Sequence, residues 1–111
     1  MNDELEKFVN ACIAKGDAEE SGDFISSKDK KNYNTINSVY HSLKEGNRLN
    51  ELLALLDHEH PYVRMWASGY TLHLPNSKAE KVLTSLSKLR GNIGFCAENT
   101  LIAWKKGALK F

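Results

Sequence analysis

The chain has 111 residues, of which 41% are hydrophobic and 26% are charged, and its formal net charge is +1. These values predict an ordinary globular protein with one domain, residues 1–111. No apolar run approaches the length of a membrane span. The N-terminal segment begins with acids and lacks the basic region and apolar stretch of a secretory signal, so we expect a cytoplasmic protein.

The charges are unevenly distributed along the chain. Residues 1–23 hold seven acids and two bases, whereas residues 78–111 hold seven bases and two acids. Such asymmetry can steer a charged partner towards one end of the molecule. It is equally expected of two solvated faces at opposite ends of a small domain, and the sequence leaves both interpretations open.

The two cysteines, Cys12 and Cys96, lie far apart on apolar helical faces. Two buried free thiols are expected in a reducing compartment, and a disulfide between them is the alternative. Neither cysteine has a histidine at a spacing that indicates a catalytic partner, so we predict no nucleophilic cysteine.

Apolar residues at helical spacing predict the elements in chain order. The first helix ends at Gly16, and the acidic segment GDAEESGD that starts there is predicted to be a loop or a single frayed turn. The second helix begins at Ser26 or Ser27 and ends at the KEGN turn, where Gly46 suits the left-handed position after a helix.

The third helix carries Leu49, Leu52, Leu53 and Leu56. It stops at the segment DHEHP, and Pro61 fits the first turn of the fourth helix, which runs to about Leu74. The fifth helix reaches Leu89, and the sixth runs from near Gly94 to Gly107. No run alternates with a period of two, so the prediction is an all-α chain without a sheet.

A shift of 30 residues partly overlays the chain on itself. Leu52, Leu53 and Leu56 fall on Val82, Leu83 and Leu86. Val63, Trp66, Ala67 and Leu72 fall on Ile93, Cys96, Ala97 and Ile102. Both helices of a pair match, so we predict an α-α superhelix of about six helices in which stacked pairs share one core.

The stretch HPYVRMWASGYTL resembles the second helix of a HEAT repeat, where a proline-led turn precedes V-R-x-x-A. V-R-M-W-A at residues 63–67 and G-F-C-A-E-N-T-L-I-A-W-K-K-G at residues 94–107 are similar to a family of short bacterial helical-repeat proteins. That family shows V-R-x-W-A and then G-F-x-A-E-x-T-L-x-x-W-x-x-G. The resemblance implies a HEAT/ARM-like fold and no reaction, since the family has no catalytic residues to carry over.

The segment DHEHP places Asp57, His58, Glu59 and His60 together. Two histidines at i and i+2 do not share a helical face, unlike the i, i+4 pair of a zinc helix. A solvated polar turn is therefore predicted here, with a metal-binding loop as the alternative. The chain contains no phosphate-binding loop and no nucleophile with a base at a recognisable spacing, so we expect neither a cofactor nor an enzyme.

Arg64 and Glu98 occupy matching inner rows of successive repeat units. A structural contact between them is one interpretation, and a place for both on a concave binding surface is the other. Trp66 and Trp104 are expected to pack in the core or at its edge rather than to stack on bases.

The first functional hypothesis is a protein-binding module, because small helical-repeat proteins of this size resemble immunity proteins of contact-dependent growth inhibition. The resemblance implies binding to the C-terminal toxin domain of a secreted effector. Nuclease toxins have basic active sites, which an acidic inhibitor surface would complement. The candidate partner-binding residues are Asp17, Glu19, Glu20 and Asp23, a second set formed by Asp57 and Glu59, and the pair Arg64 and Glu98.

Two other hypotheses remain at this point. The basic C-terminal third could bind nucleic acid, although the net charge is near zero and no aromatic residues interleave with the lysines. A scaffold or assembly protein that docks on another protein would use the same concave surface as the first hypothesis.

Overall fold

The computed structural model describes residues 3–20, 27–75 and 78–108, and all of these lie in helices or in the turns between them. The α-helices are α1 (Asp3–Glu20), α2 (Ser27–Glu45), α3 (Pro61–Thr71), α4 (Lys78–Leu86) and α5 (Asn92–Lys105), and a 3₁₀ helix (Leu49–Asp57) lies between α2 and α3. The expected all-α class with about six helices is thereby confirmed. Across the described ranges, no helix combines the length and the apolar character that crossing a membrane requires.

The chain divides into two compact units, Met1–Glu51 and Leu52–Phe111, which we call the N-terminal and C-terminal units. In the N-terminal unit α1 packs against α2. Its core contains the fully buried side chains of Phe8, Cys12, Ile36 and Leu43. The prediction of a single domain stays a prediction.

In the C-terminal unit α3 packs against α4 and α5, and α4 also packs against α5. The fully buried core side chains here are Leu52, Leu56, Val63, Tyr70, Leu83 and Leu86. The helices of this unit therefore share an apolar core, as the spacing of leucines and aromatics along the sequence predicts.

The end of α1 differs from the prediction, because the helix continues through Gly16 to Glu20. A glycine inside a helix costs roughly 1 kcal/mol relative to alanine. Gly16 is buried, and tertiary packing outweighs a propensity of that size. The predicted loop is thus wrong over residues 16–20, and residues 21–23 lie outside the described residues.

The C-terminus of α2 is closed by a left-handed residue, but that residue is Asn47, with φ of 57°, rather than Gly46. The Asn47 N–H donates to the Lys44 carbonyl at 3.1 Å, and the Arg48 N–H donates to the Leu43 carbonyl at 2.7 Å. These two bonds form a Schellman motif. Asparagine tolerates the left-handed conformation well enough to replace the glycine that the sequence favours.

The turn between α4 and α5 is tighter than expected. α4 ends at Leu86, so the predicted helical residue Leu89 lies in the turn and is 46% exposed. α5 then begins at Asn92, and its Gly94 approaches the backbone of that turn. A Cβ atom on Gly94 would lie 1.9 Å from the Leu89 carbonyl oxygen, so only glycine fits there.

The burial of side chains follows the 30-residue repeat at the core positions and departs from it on one face. Leu56 and Leu86, Val63 and Ile93, and Ala67 and Ala97 are buried pairs. Met65 and Leu72 are buried too, but their equivalents Phe95 and Ile102 are exposed. Equivalent residues of the two repeat units are therefore equally buried on the inner faces of their helices, whereas the outer face of α5 is exposed.

Candidate binding surface

The turn before α3 is held by histidine side chains that act as hydrogen-bond acceptors. The His60 side chain is the N-cap of α3, since its Nδ1 accepts from the Tyr62 N–H at 3.3 Å. The His58 Nδ1 in turn accepts from the His60 N–H at 3.0 Å. Pro61 occupies the first turn as predicted, where its missing N–H leaves no donor unsatisfied.

Arg64 fixes the same turn from the helix side. Its Nη1 donates to the carbonyl oxygens of His58 at 2.7 Å and Glu59 at 3.0 Å. The expected contact between Arg64 and Glu98 is therefore wrong, because the guanidinium is committed to the turn and Glu98 is exposed on α5. The two acceptors are backbone carbonyls six and five residues before Arg64. These local hydrogen bonds form without a contact to a second repeat unit.

The metal-binding alternative for DHEHP has no geometric support in the described part of the chain. Both Nδ1 atoms that could serve as ligands accept backbone hydrogen bonds instead. Within residues 3–20, 27–75 and 78–108, no group of three or more His, Cys, Asp or Glu side chains is placed to hold a metal ion. The segment is a capping turn in this structure.

A groove of about 550 Å³ runs along α4 and is bounded by the end of the 3₁₀ helix and the start of α3. Its apolar lining is formed by Leu56, Val82, Leu86 and Leu89. Its charged lining is formed by Asp57, Arg64, Lys78 and Lys81. We call this surface the α4 groove; it is open to solvent and combines an apolar floor with a mostly cationic rim.

The one carboxylate of the α4 groove is paired. Asp57 Oδ2 accepts from Lys78 Nζ, and both side chains are largely exposed. A surface ion pair of this kind contributes little to stability, about 0–1 kcal/mol, but it neutralises the acid locally. Arg64 and Lys81 then leave the groove with positive charge, so Asp57 does not belong to an acidic surface as the sequence suggested.

The remaining predicted binding residues are dispersed. Asp17 is exposed on α1 in the N-terminal unit, while Glu59 and Glu98 are exposed in the C-terminal unit. Glu19 and Glu20 form the last turn of α1, but their side chains, and Asp23 altogether, lie outside the described residues. Of the predicted residues whose side chains the structure describes, Asp57 and Arg64 line one groove, and Arg64 also contacts the backbone of Glu59.

The N-terminal unit contains a polar network that the sequence did not reveal. Ser42 Oγ donates to Glu4 Oε2 at 2.7 Å, and Arg48 Nη1 donates to Glu4 Oε1 at 3.0 Å. Arg48 also forms two parallel bonds with Glu51, of 2.8 and 3.2 Å. Only the Arg48–Glu51 spacing of i, i+3 is a sequence signal, since Glu4 lies 44 residues away.

This network shifts the pKa values of its members. The hydrogen bond from Ser42 and then that from Arg48 lower the pKa of Glu4 from its ordinary value of 4.5. Hydrogen bonds to Glu51 and Glu4 raise the pKa of Arg48, which therefore stays charged at every accessible pH. A depression of about 420 Å³ adjoins Glu4 and is lined also by Lys7, Lys31 and Asn34.

Both cysteines are free, as expected, and the disulfide alternative is wrong. Cys12 is buried, and desolvation raises the pKa of its thiol well above the usual range. Cys96 is half-buried on α5, contrary to the expectation that both thiols are buried. A thiol with a raised pKa is a poor nucleophile, so Cys12 acts as an apolar core side chain.

The comparisons with known proteins return no relative for this chain. No protein-family model matches it, and no curated protein or solved structure matches it either. The resemblance of residues 60–107 to the short bacterial helical-repeat family accordingly stays an expectation.

Proposed function

We propose that this chain is a non-catalytic protein-binding module whose partner contacts the α4 groove. One observation carries the proposal: the exposed apolar side chain of Leu89 and the exposed cation of Lys81 line a single open groove. Burial of apolar atoms supplies binding free energy, and rim charges set orientation and the association rate. A partner segment with an apolar residue beside an acid fits this surface.

The composition of the groove supports binding rather than catalysis. Among the described residues, its lining includes one hydroxyl, that of Ser85, and one carboxylate, that of Asp57, and neither a histidine nor a cysteine. A nucleophile with a base in hydrogen-bond reach is the minimum for acyl or phosphoryl chemistry, and the Asp57 carboxylate is paired with Lys78 rather than with Ser85.

Within this class, we propose an immunity protein that binds and neutralises a cognate bacterial toxin, such as the nuclease of a contact-dependent inhibition system. The support is the resemblance of residues 63–67 and 94–107 to short helical-repeat proteins, together with the acid-rich segment that includes the exposed Asp17. Acids complement the basic active site of a nuclease and accelerate association. The cytoplasm, where such a toxin acts, is the proposed location.

The test is co-expression of the tagged chain with the products of its neighbouring genes, followed by purification and a toxicity assay. We expect the C-terminal part of a large secreted protein to co-purify and its toxicity to be suppressed.

Titration calorimetry with that toxin domain then compares Lys81→Glu combined with Leu89→Ser against the parent. The groove variant is expected to bind at least about tenfold more weakly, a loss of about 1.4 kcal/mol.

A matched control separates the groove from general charge effects. Lys88→Glu makes the same change of charge at a residue next to Leu89 that does not line the groove. The affinity of this variant should stay within about twofold of that of the parent. Glu19→Lys combined with Glu20→Lys tests the acidic segment in the same assay. If neither the groove pair nor the acidic pair changes affinity or its salt dependence, both surfaces are excluded as the toxin interface.

Nucleic-acid binding is the second candidate, and one observation favours it: Arg64, Lys78 and Lys81 line the same groove. Phosphate contacts would make the affinity fall steeply with salt. A gel shift with mixed duplex DNA at low salt is expected to show no complex at micromolar protein. A complex that is abolished by Lys81→Glu would replace the protein-binding proposal with this one.

A further inference from the structure

The last helix exposes two large apolar side chains on one face. Phe95 is 64% exposed and Ile102 is 42% exposed. They are seven residues apart and therefore lie on the same side of α5, two turns from each other. We define the α5 outer face as Phe95, Glu98, Asn99, Ile102 and Lys106, all of which are exposed.

The 30-residue repeat shows what this face corresponds to. Phe95 and Ile102 are the equivalents of Met65 and Leu72 on α3, which are only 8% and 6% exposed. Gly69, which is buried, has the exposed Asn99 as its equivalent. The same face is therefore covered in α3 and open in α5.

On α3, this face is covered in part by α5. The Asn92 side chain of α5 donates to the Tyr62 hydroxyl at 3.5 Å. The Thr100 methyl group lies 3.6 Å from the point where a Cβ on Gly69 would stand. Tyr62 and Gly69 are two turns apart on α3, so α5 runs along this face. No further helix follows α5 in the described residues, and its own equivalent face is left open.

We propose that a second copy of this chain covers the α5 outer face, with the two α5 helices antiparallel about a two-fold axis near Ile102. The charges of the face favour this occupant. Glu98 and Lys106 lie four residues before and after Ile102, so each Glu98 faces Lys106 of the other copy. Phe95, seven residues before Ile102, then lies just beyond Lys105, where the other α5 helix ends. A parallel pairing would instead place each Glu98 beside its counterpart.

The interaction is weak and depends on concentration, because each copy contributes only two large apolar side chains. Small, partly wet interfaces of this kind belong to transient complexes. The α5 outer face shares no residue with the α4 groove, so self-association and partner binding can be altered separately.

Sedimentation equilibrium of the full chain over a wide range of protein concentration is the first test. We expect a monomer–dimer equilibrium for the parent and a monomer for Ile102→Asp. Phe95 is 64% and Ile102 is 42% exposed, and the helical circular dichroism of the variant is expected to match that of the parent. Tyr33→Ser, at an exposed aromatic of the N-terminal unit, is the matched control and should dimerise like the parent.

A charge exchange then tests the antiparallel register. Glu98→Lys or Lys106→Glu alone should each raise the dimer dissociation constant about tenfold, because both symmetric contacts become repulsive. The double variant, which restores opposite charges across the axis, should return to the parent value. A parent that is monomeric throughout, a dimer that survives Ile102→Asp, or a double variant no better than the singles would each overturn the proposal.

Discussion

At the scale of single residues, Gly94 and Gly69 of the C-terminal unit differ in the room that their surroundings leave for a Cβ atom. A Cβ on Gly94 would lie 1.9 Å from the backbone oxygen of Leu89, whereas a Cβ on Gly69 would make an ordinary 3.6 Å contact with Thr100. Gly94→Ala forces the turn apart and should lower the free energy of unfolding by about 1–3 kcal/mol or more. Gly69→Ala removes a glycine from the interior of α3 and should raise it by about 0.5–1 kcal/mol.

Urea unfolding followed by circular dichroism measures both changes on the same scale. The pair is informative because the chemical change is identical and only the surroundings differ. A Gly94→Ala variant as stable as the parent would mean that the turn at residues 87–91 can move away from α5. A loss of stability for Gly69→Ala would mean that Thr100 cannot accommodate the added methyl group.

At the scale of elements, the Glu4 network joins the first turn of α1 to the end of α2 and to the 3₁₀ helix. The pKa of Glu4 is lowered in the folded protein, chiefly by the bond from Ser42. Its contribution to stability is therefore complete above the ordinary value of 4.5 and is lost as the pH falls through the lowered folded pKa. Stability of the parent should decline in this acidic range by more than that of Glu4→Gln.

Thermal unfolding of the two proteins between about pH 3 and pH 7 gives the comparison directly. The difference in melting temperature should be largest at neutral pH and shrink as Glu4 becomes protonated. Glu6→Gln is the control, since Glu6 is an exposed acid on the same helix. A difference that stays constant over this range would show that the Glu4 carboxylate does not lose its partners on protonation.

The turn before α3 depends on one side chain of that helix. Arg64 donates two charge-assisted hydrogen bonds to carbonyl oxygens of residues 58 and 59. Arg64→Met keeps the apolar stem but removes the donors, and we expect a loss of about 1–3 kcal/mol in the free energy of unfolding. Chemical denaturation with Arg90→Met as the exposed control checks this. Equal stability of the two variants would mean that water replaces Arg64 at no cost.

Sequence patterns predicted the helices well and their ends poorly. The apolar spacing identified every described helix, and Pro61 marked the start of α3, because both signals are local. The predicted end of the first helix at Gly16 is wrong, because burial of Gly16 depends on packing beyond the local segment. The second helix ends in the predicted KEGN turn, but Asn47 rather than Gly46 is its left-handed residue. Propensity is a small free energy, and tertiary contacts override it.

The candidate site was less predictable than the fold. Asp57 and Arg64, which are predicted partner-binding residues, both line the α4 groove. Leu89 is expected in a helix, and its exposure follows only from the early end of α4. The Glu4–Arg48 pair joins residues 44 positions apart and has no local signal. The packing of the helices decides which charged side chains lie on the same surface. A single sequence constrains surface residues less than it constrains core residues.

At the scale of the whole molecule, the size of the two units argues for cooperative unfolding. They contain 51 and 60 residues, and domains of that size bury only about 60% of their chain surface and are marginally stable alone. The 3₁₀ helix Leu49–Asp57 also begins in one unit and ends in the other. We therefore expect one unfolding transition for the chain, in agreement with the single domain that its length predicts.

Both tryptophans, Trp66 and Trp104, belong to the C-terminal unit, so fluorescence reports on that unit while circular dichroism reports on all helices. Leu43→Ala in the N-terminal core and Leu83→Ala in the C-terminal core should each cost about 2–5 kcal/mol, since both side chains are fully buried. If unfolding is cooperative, Leu43→Ala shifts the fluorescence midpoint as far as the dichroism midpoint. An unchanged fluorescence midpoint beside a biphasic dichroism curve would instead establish two independent domains that divide near residue 51.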